Sequence, residues 1–286
     1  MKEQALWLYQ QVTRRSRHAL LQELRSTAQV PVAILFYHRV ADSSPNDWTI
    51  GRDDFCRQLD WLQTNLEVVS LEEAQSRIRK PNVKQSVAIT FDDGYADNAE
   101  FAIPELQRRG IRATYFVSTD FTESQQAFPH DRALATHLRP DSLEELRYYL
   151  ELGMQLGAHT RSHCDCGTLA DPGQIEHEIL GSARQLETWL GIQVKYFAFP
   201  FGMPQNMTQA AVDCILKNGF KGFCSAYGAW NWPIGDEHSS EAIHLRRIHA
   251  DPGLQRLKNW LTLDSRKLRQ RVALPFDLTS LDSIQL

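Results

Sequence analysis

The segment Ala88–Asn98, AITFDDGYADN, ends an apolar run on two adjacent carboxylates, Asp92 and Asp93, followed at once by Gly94. Like charges side by side repel unless a cation or a proton intervenes. Further along, GAHTRSH carries His159 and His163 four residues apart, and LFYHRV carries His38. One carboxylate with two imidazoles suits a first-row divalent cation. Asp93, His159 and His163 would supply three ligands and leave positions for water, as catalytic sites do. Water at such a cation gives up a proton near neutral pH. Asp92, not needed as a ligand, would take that proton as general base. Each piece also has a duller explanation. Asp-Asp-Gly is ordinary turn composition, and the histidine spacing follows a strand, so it carries little alone. HCDC offers Cys164 and Cys166 as rival ligands, but a single thiol pair makes a poor structural zinc site, and buried inert cysteines account for it as well.

The positions of these residues within the pattern of elements matter more than the residues singly. Strand-like runs cover Val32 to Tyr37, Val68-Val69, Ser86 to Phe91, Ile111 to Val117, Met154 to Ala158, Val194 to Phe199, Phe220 to Ser225 and Ala242 to Ile248. Helical spacing covers Asp53 to Asn65, Ala96 to Arg109, Ser142 to Leu152, Asp171 to Leu190, Thr208 to Asn218 and Leu254 to Leu263. Gly110, Gly191 and Gly219 stop three of these helices. The polar stretch Ser118 to Pro140 reads as a lid or an irregular insert. Alternating β and α elements mean parallel strands joined by helices, in an open sheet or a barrel. In both, ligands meet the C-terminal ends of the strands. His38, Asp92, Asp93, His159, His163 and the turn PFGMP all follow strand ends. That convergence is the main argument for one site.

The 286 residues fit one large domain, with 42% hydrophobic and 23% charged residues as in ordinary globular proteins. The net charge of -4 speaks against a nucleic-acid partner. No run is long enough to span a bilayer. The first 26 residues show no cleavage site of a secretory signal, which predicts a cytoplasmic protein. They read as an amphipathic helix with Leu8, Val12, Leu20 and Leu24 on one side, packed on the domain or, as a weaker alternative, lying on a membrane surface through its arginines. Five scattered cysteines read as reduced thiols.

TFDDGYADN, HTRSH, FAFPFG and the strand ATYFV together resemble the polysaccharide deacetylase family, over roughly Val32 to Asp251. The resemblance implies an irregular (β/α) barrel of about seven parallel strands with the active site at their C-terminal ends. It implies a catalytic domain over 31–263, flanked by a helical extension, 1–30, and a C-terminal extension, 264–286. It makes Asp92 the base, Asp93, His159 and His163 the ligands of one divalent ion (zinc foremost, with cobalt, nickel or iron suited), and the Phe201 N–H the oxyanion donor. An arginine that orients the base in many members is missing from VKYFAFPFG, where Lys195 stands; Arg247 is the candidate to replace it. A C-terminal Leu-x-His that supplies the acid is missing too, leaving His244 and His249. The early histidine resembles the branch acting on exopolysaccharide poly-N-acetylglucosamine, and by that likeness His38 is the acid. Tyr95, Phe199, Pro200, Trp230 and Trp232 are candidate substrate contacts. The expected activity is metal-dependent removal of acetyl groups from N-acetylated sugars. The alternatives are a related amidohydrolase of a small non-sugar amide and a carbohydrate-binding protein without activity.

Overall fold

The computed structural model describes residues 2–227, 230–236, 239–250, 253–265 and 276–278. The strands are β1 (Val32–Tyr37), β2 (Arg39–Val40), β3 (Thr49–Ile50), β4 (Glu67–Val69), β5 (Ser86–Phe91), β6 (Thr114–Val117), β7 (Gln155–Ala158), β8 (Tyr196–Ala198), β9 (Gly222–Cys224), β10 (His244–Leu245) and β11 (Ile248–His249). β1 and β5 are buried at every residue, the mark of strands covered on both faces. The main sheet runs β10-β9-β8-β7-β6-β5-β1-β11 with parallel neighbours throughout. β4 pairs with the first half of β5, from Glu67↔Ser86 to Val69↔Ala88, whereas β6 takes its last two residues.

The two ends of this path, β10 and β11, are separated in the chain by Arg246 and Arg247 alone. One short stretch thus binds β9 with its first half and β1 with its second, and the sheet closes on itself. The result is the irregular (β/α) barrel expected, with β1, β5, β6, β7, β8, β9 and the β10–β11 stretch as its staves. The expected single strand Ala242 to Ile248 is split at that seam.

The flanking helices follow from local chemistry. Arg52–Asn65 buries Phe55, Gln58, Leu59 and Leu62, one helical face. Pro172–Leu190 starts at Asp171, whose side chain accepts from the Gln174 N–H, and ends at Gly191 in the left-handed conformation. Ser142 and Glu145 form a reciprocal capping box ahead of Leu143–Glu151. The helix expected over Ala96 to Arg109 is broken at Phe101 into Asp97–Glu100 and Ala102–Arg108. Pro104 explains the break, since it has no N–H for the Glu100 carbonyl one turn back. A further helix, Leu71–Arg79, is capped by Ser70, which accepts from the Glu73 N–H. The stretch Ser118 to Pro140 holds two short helices, Thr119–Ser124 and Pro129–Ala133.

The first helix, Lys2–Ser26, packs against the helix Leu254–Leu261. Its rotation differs from the expected one. Leu20, Leu21 and Leu24 face the core, but Leu8 and Val12 are 58% and 77% exposed. Arg17 sets the rotation, because its buried guanidinium bonds Asn259, Thr262 and Asp264. No described helix is long and apolar enough to cross a membrane. Of the extension from 264 onward, only 264, 265 and 276–278 lie among the described residues.

Candidate metal centre and catalytic residues

Four strand ends build the site. β5 delivers Asp92 and Asp93, β7 delivers His159 and then His163, β1 delivers His38, and β8 leads into Pro200 and Phe201. Backbone bonds fix the turns: Asp92 N–H donates to the Tyr37 carbonyl, Ser118 N–H to that of Asp93, and His159 N–H to that of Val117. Asp93, Thr160, His163 and Phe201 all hold left-handed φ values, 74°, 59°, 56° and 60°. Such backbone costs a non-glycine residue about 1–2 kcal/mol, and it concentrates where function demands it.

Asp93, His159 and His163 come together. Asp93 Oδ1 lies 3.1 Å from His163 Nε2 and 3.4 Å from His159 Nε2, and one ligand atom from each residue falls within 4.8 Å of the others. His159 Nδ1 sits 2.8 Å from the Ala198 carbonyl, which only accepts, so Nδ1 carries the hydrogen. In the neutral ring, Nε2 then points a lone pair at a carboxylate oxygen that is itself buried without a hydrogen-bond donor. Facing lone pairs repel, so positive charge belongs between them. The same demand appears in the acidities. Burial opposes charge on His163, but Asp93 outweighs it and raises the imidazole. Burial would likewise raise Asp93, yet the surrounding imidazoles hold it well below the usual range. The donor set fits a divalent cation, with His159 oriented by a backbone carbonyl in the manner of metal-bound histidines. HCDC does not compete. Among the described residues, the group whose ligand atoms come together is Asp93, His159 and His163, without either thiol.

Asp92 is held apart from that triad by Arg247. The guanidinium is buried and bidentate, Nη1 at 2.6 Å from Oδ1 and Nη2 at 2.7 Å from Oδ2. Its Nε donates to the Ser225 carbonyl at 2.9 Å, Nη1 also reaches Thr90 Oγ1 at 3.1 Å, and its plane lies over Phe36 and Phe116. Burial alone would raise Asp92, but the Arg247 charge outweighs it and lowers the carboxyl. Asp92 is therefore an ionised, oriented acceptor at neutral pH. Lys195 stands elsewhere, paired with Glu72.

His38 faces the same carboxylates. Burial pushes it down to about 4 against the pull of Asp93 and Asp92. Its Nδ1 is buried without a partner, and its ring touches Trp48 at 5.0 Å and His249 at 5.9 Å between centroids. His249 thus borders the site, but His244 does not. It stacks on Phe223 within the sheet and bonds Ser225 Oγ at 2.8 Å. Phe201 is 57% exposed, with its ring 5.3 Å from that of His163. No described group accepts from its backbone N–H. Gly202, at φ 56°, lets the turn pass close to Ala226, where a Cβ would come within 2.5 Å of the Ala226 nitrogen.

Several expected substrate contacts lie in the interior. Phe199 packs between Phe197 and Phe223. Tyr95 is buried and bonds Asp131 and His130 through its hydroxyl. Trp230 and Pro200 are buried, and Trp232 is half-buried. The side chains of Tyr95, Phe199 and Trp230 are all buried. Trp48, exposed beside His38, gives little signal in the sequence because it lies in the irregular stretch SSPNDWTI. Its only signal there was its distance of ten residues from His38.

The profile of the polysaccharide deacetylase family matches residues 79–223, just over half of the chain. The polysaccharide deacetylase candidate YxkH of Bacillus subtilis is 25% identical over 235 residues, 81% of this chain and 75% of that protein. The fold is similar to the Streptococcus pyogenes deacetylase PplD solved with acetate, at a TM-score of 0.67 and 22% identity, covering 82% of this chain and 99% of that one. It is also similar to IcaB from Ammonifex degensii, at 0.65 and 24%, covering 82% and 98%.

Proposed function

Because this chain belongs to the polysaccharide deacetylase family, we propose that it hydrolyses the acetamido group of an N-acetylated sugar, releasing acetate and a free amine. One observation carries the reading: Asp93, His159 and His163 converge on one point beside Asp92, which Arg247 keeps ionised. A divalent cation held by the three ligands would acidify the attacking water and polarise the acetyl carbonyl. Asp92 accepts the proton of that water, and Arg247, bonded to both of its oxygens, fixes the orientation of the carboxylate. The Phe201 N–H donates to the oxygen of the tetrahedral carbon as charge grows on it. His38 rests neutral, because burial lowers its pKa to about 4. The negative charge developing on the substrate raises the proton affinity of His38, so that it takes up a proton from solvent and passes it to the departing nitrogen, while Asp92 returns the proton of the water to solvent. The early histidine at the β1 end supports an exopolysaccharide of N-acetylglucosamine as the polymer. Zinc suits the donor set, as do cobalt, nickel and iron.

The test pairs elemental analysis with acetate release from N-acetylglucosamine oligomers and from small acetamides. Stoichiometric metal, sugar-dependent acetate and loss of both in Asp93→Ala are expected. Acetate from small amides alone would move the function to the non-sugar amidohydrolase. Glycan binding by metal-loaded protein without acetate would make it a binding protein.

A further inference from the structure

The proposed reaction has two sides. The acetyl oxygen lies towards Phe201 N–H, and the departing nitrogen lies towards His38. The sugar ring is attached through that nitrogen, so it extends past His38 and not past Phe201. Trp48 stands on that side. Its ring is 46% exposed, 5.0 Å from the His38 ring and 6.0 Å from the His249 ring.

An exposed tryptophan on a loop would ordinarily be mobile, but this one is tied from several directions. Asn46 Oδ1 accepts from the Trp48 N–H at 3.1 Å and from Thr49 Oγ1 at 2.6 Å, and Asn46 Nδ2 donates to the buried Asp131 at 2.9 Å. Arg39 is buried beneath the loop, bidentate to Asp97, and donates to the Ser43 and Ser44 carbonyls and to Thr49 Oγ1. Two buried charged residues therefore hold in place a loop whose outward feature is one flat apolar ring. A pyranose shows an apolar face of C–H groups, and a rigid aromatic ring covers such a face at low entropic cost.

Resting on the proposed deacetylase reading, we propose that Trp48 is the platform on which the sugar ring of the substrate stacks, and that it selects an acetamido-pyranose over small acetamides. His38 acts on the nitrogen while Trp48 holds the ring that carries it.

The experiment measures KM and kcat for acetate release from a tetramer of N-acetylglucosamine, and the tetramer's Kd by calorimetry, in wild type, Trp48→Ala, Trp48→Leu and Trp48→Phe. Ala and Leu should raise KM and Kd about tenfold, with kcat within about twofold, because a contact made equally in ground and transition states moves KM alone. Phe should restore most of the loss. A fall in kcat at unchanged KM would overturn the inference and make Trp48 a shield of His38. So would unchanged Kd in folded Leu and Ala variants. Weakened binding in these variants without any acetate from wild type would sink the deacetylase reading and leave the platform standing. A wild type that neither binds nor cleaves the tetramer would sink both.

Discussion

Arg247 decides what Asp92 can do. A buried carboxyl drifts towards the neutral form, and the guanidinium on both of its oxygens is the largest influence that keeps it charged. Arg247→Met should therefore lower kcat/KM near neutral pH by about 10²-fold, and the acid limb of the pH–rate profile should move to higher pH as Asp92 loses its partner. Arg247→Lys keeps the charge but not the two-pronged contact, and should fall between. An unmoved acid limb in the Met variant would take Arg247 out of this role. The base and its partner were readable in the sequence to different degrees. Asp92 stands in a dense motif, whereas Arg247 stands 155 residues further on and meets it only through the closure of the sheet. The left-handed backbone at Phe201 was not readable at all, because a bulky side chain gives no hint of positive φ, whereas Asp93 and His163 are of types enriched there and gave only a weak signal.

Among the elements, the most informative is the junction at Asp141, just ahead of the capped helix Leu143–Glu151. Its backbone N–H donates to the Gly94 carbonyl at 2.8 Å, which ties it to the turn after the aspartate pair. One of its oxygens accepts from Tyr149, but the other is buried without a partner. Burial raises this carboxyl to about 7. An acid with a raised folded-state value binds its proton more tightly when folded. Its stabilising contribution is complete below the ordinary carboxylate range and is lost as pH rises to about 7, a span of about 4 kcal/mol at most. Asp141→Asn should flatten the decline of Tm between about pH 4 and 7 and leave the variant the more stable one at the alkaline end. Parallel melting curves of the two proteins across that range would remove Asp141 as the cause. The strands β1 and β5 were read to the residue because unbroken apolar runs admit few other meanings. The closing strand was not, since the hydrophobic pattern runs through Arg246 and Arg247 without marking where the pairing changes partner. Leu71–Arg79 carried its capping signal openly in Ser70 and Glu73.

For the molecule as a whole, the first helix is fastened both by Leu20, Leu21 and Leu24 and by a buried ion pair. Arg17 and Asp264 are both buried, and removing one partner of such a pair costs about 3–5 kcal/mol. Arg17→Ala should release the helix Lys2–Ser26, seen as faster amide exchange confined to it and to the helix Leu254–Leu261, while acetate release stays near wild type. A uniform loss of protection across the barrel would mean that the helix is part of the core and not an attachment. The turned-out Trp7, Leu8 and Val12 gain nothing from the barrel in either case. The seam has a different consequence. The stave that completes the wall also brings the guanidinium to the base, so permuting the termini to a cut between Leu245 and Ile248 would open the wall and disarm the chemistry in one stroke. New ends placed at other surface turns would spare both.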